Sequence, residues 1–149
     1  MRIGSIGAVA VASLAGAVVG VAPMAAAKPA PEAAKSLCSM TYLTPDNPEV
    51  NGSSEVKVDR NSNGSLELTL ITDANSKGGY DQSFTATWAN IDTGRSGSGD
   101  AKTWVAGHRT LLSIPEVWTE PGRIAFVFGT SNQTGQSVTS GQCMAEYAA

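Results

Sequence analysis

Apolar and polar residues alternate along three short segments of the chain, residues 55–59, 66–70 and 84–88. A period of two places successive side chains on opposite faces of a strand, so each segment is predicted to be a half-buried β-strand. The segment Ile124–Phe128 is apolar at every position, which is typical of a strand that is buried on both faces. No stretch has the three-to-four-residue period of a long amphipathic helix.

Turn-forming residues separate these strands. Asn61–Gly64 ends in Asn-Gly, which is a strong signal for a tight hairpin turn. Polar loops are predicted at Asp73–Gly79 and Asp92–Asp100, and Trp104–Val117 is predicted to form two short extended pieces because it contains a glycine and a proline. The glycines of the second loop are expected to adopt the positive φ angles of turns: Gly94, Gly97 and Gly99.

The strand pattern predicts an all-β fold. It begins with the apolar stretch Leu37–Leu43, ends with Cys143–Tyr147, and comprises about seven to eight short antiparallel strands at regular spacing. An immunoglobulin-like β-sandwich is the best single description of such a pattern, with Trp88 in its interior.

The N-terminal residues are predicted to be an export signal. Arg2 is followed by a long uncharged stretch rich in Ala, Val and Gly, and Ala25–Ala27 has the small side chains that signal peptidase requires. We therefore predict a signal peptide at 1–27, a flexible Pro/Ala-rich lead-in at 28–36 and a single domain at 37–149. The alternative is an uncleaved membrane anchor, which the four glycines and Pro23 of the stretch disfavour.

The charge of the chain is weakly acidic. It carries 10 basic and 13 acidic side chains, for a net charge of −3. A dedicated nucleic-acid or anionic-membrane binder needs a basic patch, so neither class is predicted, and no membrane span is expected after signal cleavage.

The chain has two cysteines, Cys38 and Cys143, which lie near the two ends of the predicted domain. An exported protein folds in an oxidising compartment, so the two are predicted to form a disulfide that ties the terminal strands together. Two free thiols or an intermolecular bridge are the alternatives. Two cysteines and one histidine supply too few soft ligands for a zinc site.

Two further segments carry a resemblance to a known class of proteins. The stretch 87–97, Thr-Trp-Ala-Asn-Ile-Asp-Thr-Gly-Arg-Ser-Gly, and the later Pro121–Ile124 resemble small exported immunoglobulin-like β-sandwich proteins of high-GC Gram-positive bacteria. The resemblance implies a fold and a secreted location. It carries no catalytic or binding residues.

No catalytic motif is found in the sequence. His108 is the only histidine, and there is no nucleophile elbow, zinc-protease helix or phosphate-binding loop. Pairs drawn from four carboxylates would suit glycoside hydrolysis by residue type alone: Asp81, Asp92, Glu116 and Glu120. We predict no enzymatic activity and no catalytic residue.

The segment Asp59–Glu67 matches the first half of a calcium-binding loop. The oxygen ligands for a weak calcium site would come from five residues: Asp59, Asn61, Asn63, Ser65 and Glu67. Leu70 stands where the bidentate glutamate of such a loop belongs. The alternative is an asparagine-rich hairpin turn, which requires the same residues for backbone reasons.

Aromatic residues outside the regular strands are the best sequence-based candidates for binding. Trp104, Trp118 and Tyr80 lie in less regular segments than Trp88, and an exposed tryptophan can stack on a sugar or anchor a protein interface. Packing of these rings under loops is the alternative.

Together these features predict a secreted, extracellular and non-enzymatic binding module, with association to the cell envelope left open. Its expected partner is an extracellular protein or a polysaccharide. A protease inhibitor that presents Asp92–Asp100 or Asp73–Gly79, and a small carboxylate-dependent hydrolase, are the alternatives.

Overall fold

The computed structural model describes residues 33–149. The predicted signal peptide and most of the lead-in therefore lie outside the described residues. Six strands run through the described part: β1 (Lys35–Thr44), β2 (Asn47–Arg60), β3 (Leu66–Asn90), β4 (Ser96–Val117), β5 (Arg123–Thr134) and β6 (Ser137–Ala148). Between residues 33 and 149 the structure contains no helix long and apolar enough to cross a membrane.

All six strands are antiparallel and belong to one hydrogen-bonded sheet. Its main path is β1-β2-β3-β5-β6, and β4 pairs with β3 outside this path. Strand β6 also comes into contact with β1, so the sheet nearly closes on itself in the manner of a barrel. The predicted all-β antiparallel class is confirmed, whereas the two-sheet immunoglobulin-like form is not, because every strand belongs to the same sheet.

The predicted number of seven to eight short strands is wrong because two of the six strands are long. Residues predicted as the loops Asp73–Gly79 and Asp92–Asp100 are largely extended, and only residues 91–95 turn the chain between β3 and β4. Trp104–Val117 is likewise part of one continuous strand, β4. Gly107 has a φ of 73°, and the register shifts near the exposed Pro115, so these residues form irregularities without ending the strand.

Strand β3 changes neighbours along its length. Its first part, Leu66–Asp73, pairs with β2, and its last part, Asp81–Asn90, pairs with β5, while β4 follows the opposite edge throughout. The register shifts twice between Asp73 and Tyr80. This bulged segment lets one strand serve both halves of the sheet.

The β1–β2 turn holds the bulged segment of β3 in place. Asp46 Oδ2 accepts hydrogen bonds from Ser76 Oγ at 2.7 Å and from the Gly78 amide at 3.2 Å. Burial raises the pKa of Asp46, but the hydrogen bonds from Ser76 and Gly78 outweigh it, and the net effect is a lowered pKa. The charged carboxylate is therefore the form that holds the segment.

The apolar core lies inside the curved sheet. The rings of Phe84, Phe126 and Phe128 stack across β3 and β5, with centroid separations of 6.0 and 5.2 Å between successive partners. Leu66, Leu68 and Leu70 of the other half of β3 are fully buried in the same cluster. The alternating segments of the sequence thus form the core as predicted, since one face of each strand points inward.

A network of polar side chains fills the interior beside the apolar core. Gln82 Nε2 donates to Tyr42 Oη at 2.9 Å and to Asn132 Oδ1 at 2.8 Å, and Gln82 Oε1 accepts from Thr72 Oγ1 at 2.7 Å. Ser54 Oγ completes the network through Tyr42 and Thr72. Because its members come from β1, β2, β3 and β5, the network joins both halves of the sheet. Every member is buried, so each needs the partner it has.

The predicted disulfide between Cys38 and Cys143 is confirmed. It joins β1 to β6 across 105 residues of sequence. Gly141 of β6 faces Met40 and Tyr42 of β1, and a Cβ atom at this position would lie 3.1 Å from the Tyr42 ring. The two terminal strands are therefore held by close packing and one covalent bond.

Candidate functional site

A cleft of about 190 Å³ opens where the β3–β4 turn meets the segment that follows β4. Two tryptophans, an arginine and a glutamate line it together with two hydroxyl residues. We call it the tryptophan cleft and define it by six residues: Trp88, Arg95, Ser96, Trp118, Thr119 and Glu120.

Trp88 forms the inner wall of the tryptophan cleft. It lies on β3 between Gly97 of β4 and Phe126 of β5, and its half-buried ring packs against the apolar core. A Cβ atom on Gly97 would lie only 2.5 Å from Trp88 Cζ2. Glycine is therefore required there so that the indole can lie across the neighbouring strand.

The three glycines predicted to be turn residues have different roles. Gly94 has a φ of 77° and lies in the turn, as predicted. Gly97 and Gly99 do not have positive φ angles and belong to β4. They make room for Trp88 and for Ile114, whose Cγ2 would be 2.9 Å from a Cβ atom on Gly99.

We predict that Gly97→Ala lowers the free energy of unfolding by about 1–2 kcal/mol, because the Trp88 ring or strand β4 must shift to admit the methyl group. Urea unfolding followed by tryptophan emission measures the change. The matched control is Gly78→Ala, whose added methyl group would meet its nearest atom at 3.6 Å. Equal stability of the two variants would contradict the assigned packing of Trp88.

Asn90 organises the rim of the tryptophan cleft. The residue is only 2% exposed, and its side chain joins two segments that are far apart in sequence. Asn90 Oδ1 accepts from the amides of Asp92 and Thr93 at 2.9 and 3.1 Å, and Nδ2 donates to the Glu120 carbonyl at 2.8 Å. The β3–β4 turn and the segment after β4 are thus fixed relative to each other.

Two ion pairs flank Asn90. Arg95 Nη1 donates to Glu120 Oε1 at 2.8 Å, and Arg123 binds Asp92 through both its side chain and its backbone amide. The hydrogen bond from Arg123 lowers the pKa of Asp92, and the hydrogen bond from Arg95 lowers the pKa of Glu120. Both carboxylates are ionised at neutral pH, whereas the proton donor of a glycosidase needs a raised pKa.

The structure separates the aromatic residues that the sequence singled out for binding. Trp118 is 61% exposed and lines the tryptophan cleft. Trp104 is 53% exposed but lies on Gly79, opposite Asp81 and eight residues along β4 from the cleft residue Ser96.

Tyr80 is fully buried beside Tyr42, and burial together with the hydrogen bond to Tyr42 raises its pKa. It therefore offers no surface to a ligand. Trp88, which the alternation assigned to the core, does pack against it, but it also lines the cleft and is the candidate site residue that the sequence did not indicate. The only sequence signal for the position of the Trp88 ring was the presence of Gly97 and Gly99 on the following strand.

The proposed calcium segment forms the hairpin turn between β2 and β3. Asn63 Oδ1 accepts from the Ser65 amide and hydroxyl at 3.0 and 2.7 Å, and Asn61 Nδ2 donates to Ser65 Oγ at 2.9 Å. Asp59 and Glu67 lie opposite each other at the ends of the two strands. Within residues 33–149, no group of three His, Cys, Asp or Glu side chains is placed to hold a metal ion.

The tryptophan cleft combines an exposed aromatic face with hydroxyl groups and a paired, charged rim. Aromatic faces bind apolar surfaces by stacking, and the rim groups donate and accept hydrogen bonds. This combination is suited to reversible binding of an amphipathic ligand. Comparison of the chain with protein-family models, with curated proteins and with solved structures finds no match.

Proposed function

We propose that this protein is a secreted, non-enzymatic binding module and that its tryptophan cleft holds one sugar unit of a neutral extracellular or cell-envelope polysaccharide. The observation that carries the proposal is the exposed indole of Trp118 beside the half-buried indole of Trp88 in one cleft. A large aromatic side chain left in water at the mouth of a cleft is typical of a binding site.

A pyranose ring matches the two kinds of surface in the cleft. The C–H face of a sugar packs on an indole, and its hydroxyl groups both donate and accept hydrogen bonds. Ser96, Thr119 and Glu120 line the same cleft as Trp118 and offer oxygens that donate or accept hydrogen bonds. The Asn90 hydrogen bonds hold these groups before a ligand arrives, which reduces the entropy lost on binding.

The charges around the cleft favour a neutral ligand. Arg95 is paired with Glu120 and Arg123 is paired with Asp92, so both cations at this rim are already neutralised. An anionic polymer would have to displace Glu120 or Asp92 and approach a protein whose net charge is −3. A neutral hydroxyl-rich polymer meets neither obstacle.

We predict that Trp118→Ala weakens glycan binding by at least about tenfold, because the main stacking surface is lost. Tryptophan fluorescence would be titrated with soluble neutral polysaccharides (a glucan, a mannan, a galactan and an arabinan) and with one polyuronate. The matched control is Trp104→Ala, which removes an indole of similar exposure outside the cleft.

Three outcomes would overturn all or part of this proposal. Failure of every polysaccharide to bind, or equal binding by the Trp118→Ala variant, would remove glycan binding by the cleft. Tighter binding of the polyuronate, sensitive to Trp118, would keep the cleft but overturn its preference for neutral ligands.

Export of the protein is part of the same proposal. An intramolecular disulfide is typical of proteins that fold in oxidising compartments, and Cys38–Cys143 agrees with a signal peptide at residues 1–27. We also propose an immunoglobulin-like β-sandwich as the finer description of the fold, with the two halves of the single sheet facing each other. This description is supported by the bulged segment of β3, because β2 pairs with the part of β3 before it and β5 pairs with the part after it.

A further inference from the structure

Strand β4 leaves one long edge of the sheet without a partner. It pairs with β3 from Ser96 to Val117, and no other strand within residues 33–149 pairs with it. The N–H and C=O groups of such an edge are a template for another extended chain. Proteins usually interrupt a long edge of this kind with bulges, prolines or inward-pointing charges.

Only the second half of β4 is interrupted in this way. Gly107 and Glu116 have φ angles of 73° and 55°, and Pro115 cannot donate a backbone hydrogen bond. The first half, Ser96–Val105, keeps an unbroken register with β3 over its whole length. This regular half is the part of the edge that is able to accept another strand.

We propose that the regular half of β4 pairs with the same segment of a second copy of this chain, antiparallel and centred on Ala101. The charges around this centre are complementary under two-fold symmetry. Asp100 of each copy lies opposite Lys102 of the other, so two opposite-charge pairs form across the new interface.

Neighbouring registers are disfavoured by the same two charges. Centring the pair on Lys102 places lysine opposite lysine, and centring it on Asp100 places aspartate opposite aspartate. Like charges directly opposite each other destabilise a strand pair. A pair centred between two residues, for example between Ala101 and Lys102, is excluded because it would match exposed residues of one copy with inner residues of the other.

The two faces of β4 also fit a pair centred on Ala101. Asp100, Lys102 and Trp104 are exposed, whereas Gly99 and Ala101 are half-buried on the inner face. A two-fold axis perpendicular to the sheet keeps outer residues with outer residues. Trp104 then lies opposite Ser98 of the second copy, a small neighbour that leaves room for the indole. The interface accounts for the exposure of Trp104, which the tryptophan cleft does not explain.

Charge reversal at Asp100 and Lys102 tests this proposal independently of any ligand. Sedimentation of the purified protein across a micromolar to millimolar series should show a monomer–dimer equilibrium. Lys102→Asp alone and Asp100→Lys alone should each weaken the dimer by at least about tenfold, because two attractive pairs become repulsive. The double variant Asp100→Lys, Lys102→Asp should restore it, and an equimolar mixture of the two single variants should form a heterodimer.

The control is Lys35→Asp, which makes the same charge change on β1, away from this edge. The dissociation constant of its dimer should equal that of the unaltered protein. A chain that is monomeric throughout the series would overturn the proposal. So would single variants that dimerise normally, a double variant that does not recover, or singles that fail to pair with each other. Restored pairing in the double variant also excludes misfolding as the cause of the single-variant losses.

Discussion

Gln82→Ala is expected to lower the free energy of unfolding by about 3–4 kcal/mol, because the change removes the centre of the buried polar network and leaves a cavity. Gln82 makes three of the network's hydrogen bonds, to Tyr42, Thr72 and Asn132. Asn132 is the residue most affected. Its Oδ1 atom is fully buried and accepts only from Gln82 among the residues described, so it would be left without a donor.

The magnitude follows from two separate costs. A buried polar atom left unpaired costs about 1–3 kcal/mol, and truncating a buried side chain of this size adds a cavity term of similar magnitude. Chemical denaturation with urea measures the sum.

The matched control for this change is Gln133→Ala, which removes the same side chain from an exposed position where it makes one long hydrogen bond to Gly135. We expect the stability of this variant to stay within about 0.5 kcal/mol of the unaltered protein. A Gln82→Ala variant as stable as the Gln133→Ala variant would show that the network contributes nothing to holding the two halves of the sheet together.

Replacing both cysteines, Cys38→Ala with Cys143→Ala, is expected to lower the free energy of unfolding by about 2–5 kcal/mol. The bridge closes a loop of 105 residues, and a cross-link over such a distance strongly restricts the unfolded chain. In the folded protein it also joins β1 to β6, two strands that form no hydrogen-bonded ladder with each other.

Thermal unfolding with and without a reductant provides the internal control. The reductant should lower the melting temperature of the unaltered protein to that of the double alanine variant and leave the variant itself unchanged. A melting temperature of the unaltered protein that does not respond to reductant under conditions that reduce the bridge would contradict the expected role. So would a variant as stable as the oxidised protein.

The features that were predicted correctly from the sequence are either local or follow by elimination. The Asn61–Gly64 turn is set by its own residues, because Asn63 bonds to Ser65 within the turn itself. The alternating segments are strands because their period matches the strand geometry. Cys38 and Cys143 are the only two cysteines, so a bridge within one chain had a single possible pairing.

The incorrect predictions concern residues whose surroundings come from distant parts of the chain. Tyr80 looked like a surface aromatic, but it is fully buried and its hydroxyl contacts that of Tyr42. Trp88 does pack against the core as predicted, but the alternation did not indicate that it stays half-buried and lines a cleft with Trp118. The glycines at 97 and 99 looked like turn residues, although their role depends on the side chains that lie above them.

The sequence by itself therefore determined the strand content, the Asn61–Gly64 hairpin turn, the inward face of each alternating segment and the disulfide. Only the tertiary structure decided which strand edges pair, where β3 changes neighbours and which tryptophans share a cleft. The physical reason is the distance in sequence between the residues that interact. A period of two and a turn depend on residues a few positions apart, whereas the tryptophan cleft depends on Asn90 holding Glu120 thirty residues away. Such contacts exist only once the register of β3 and β4 has been established.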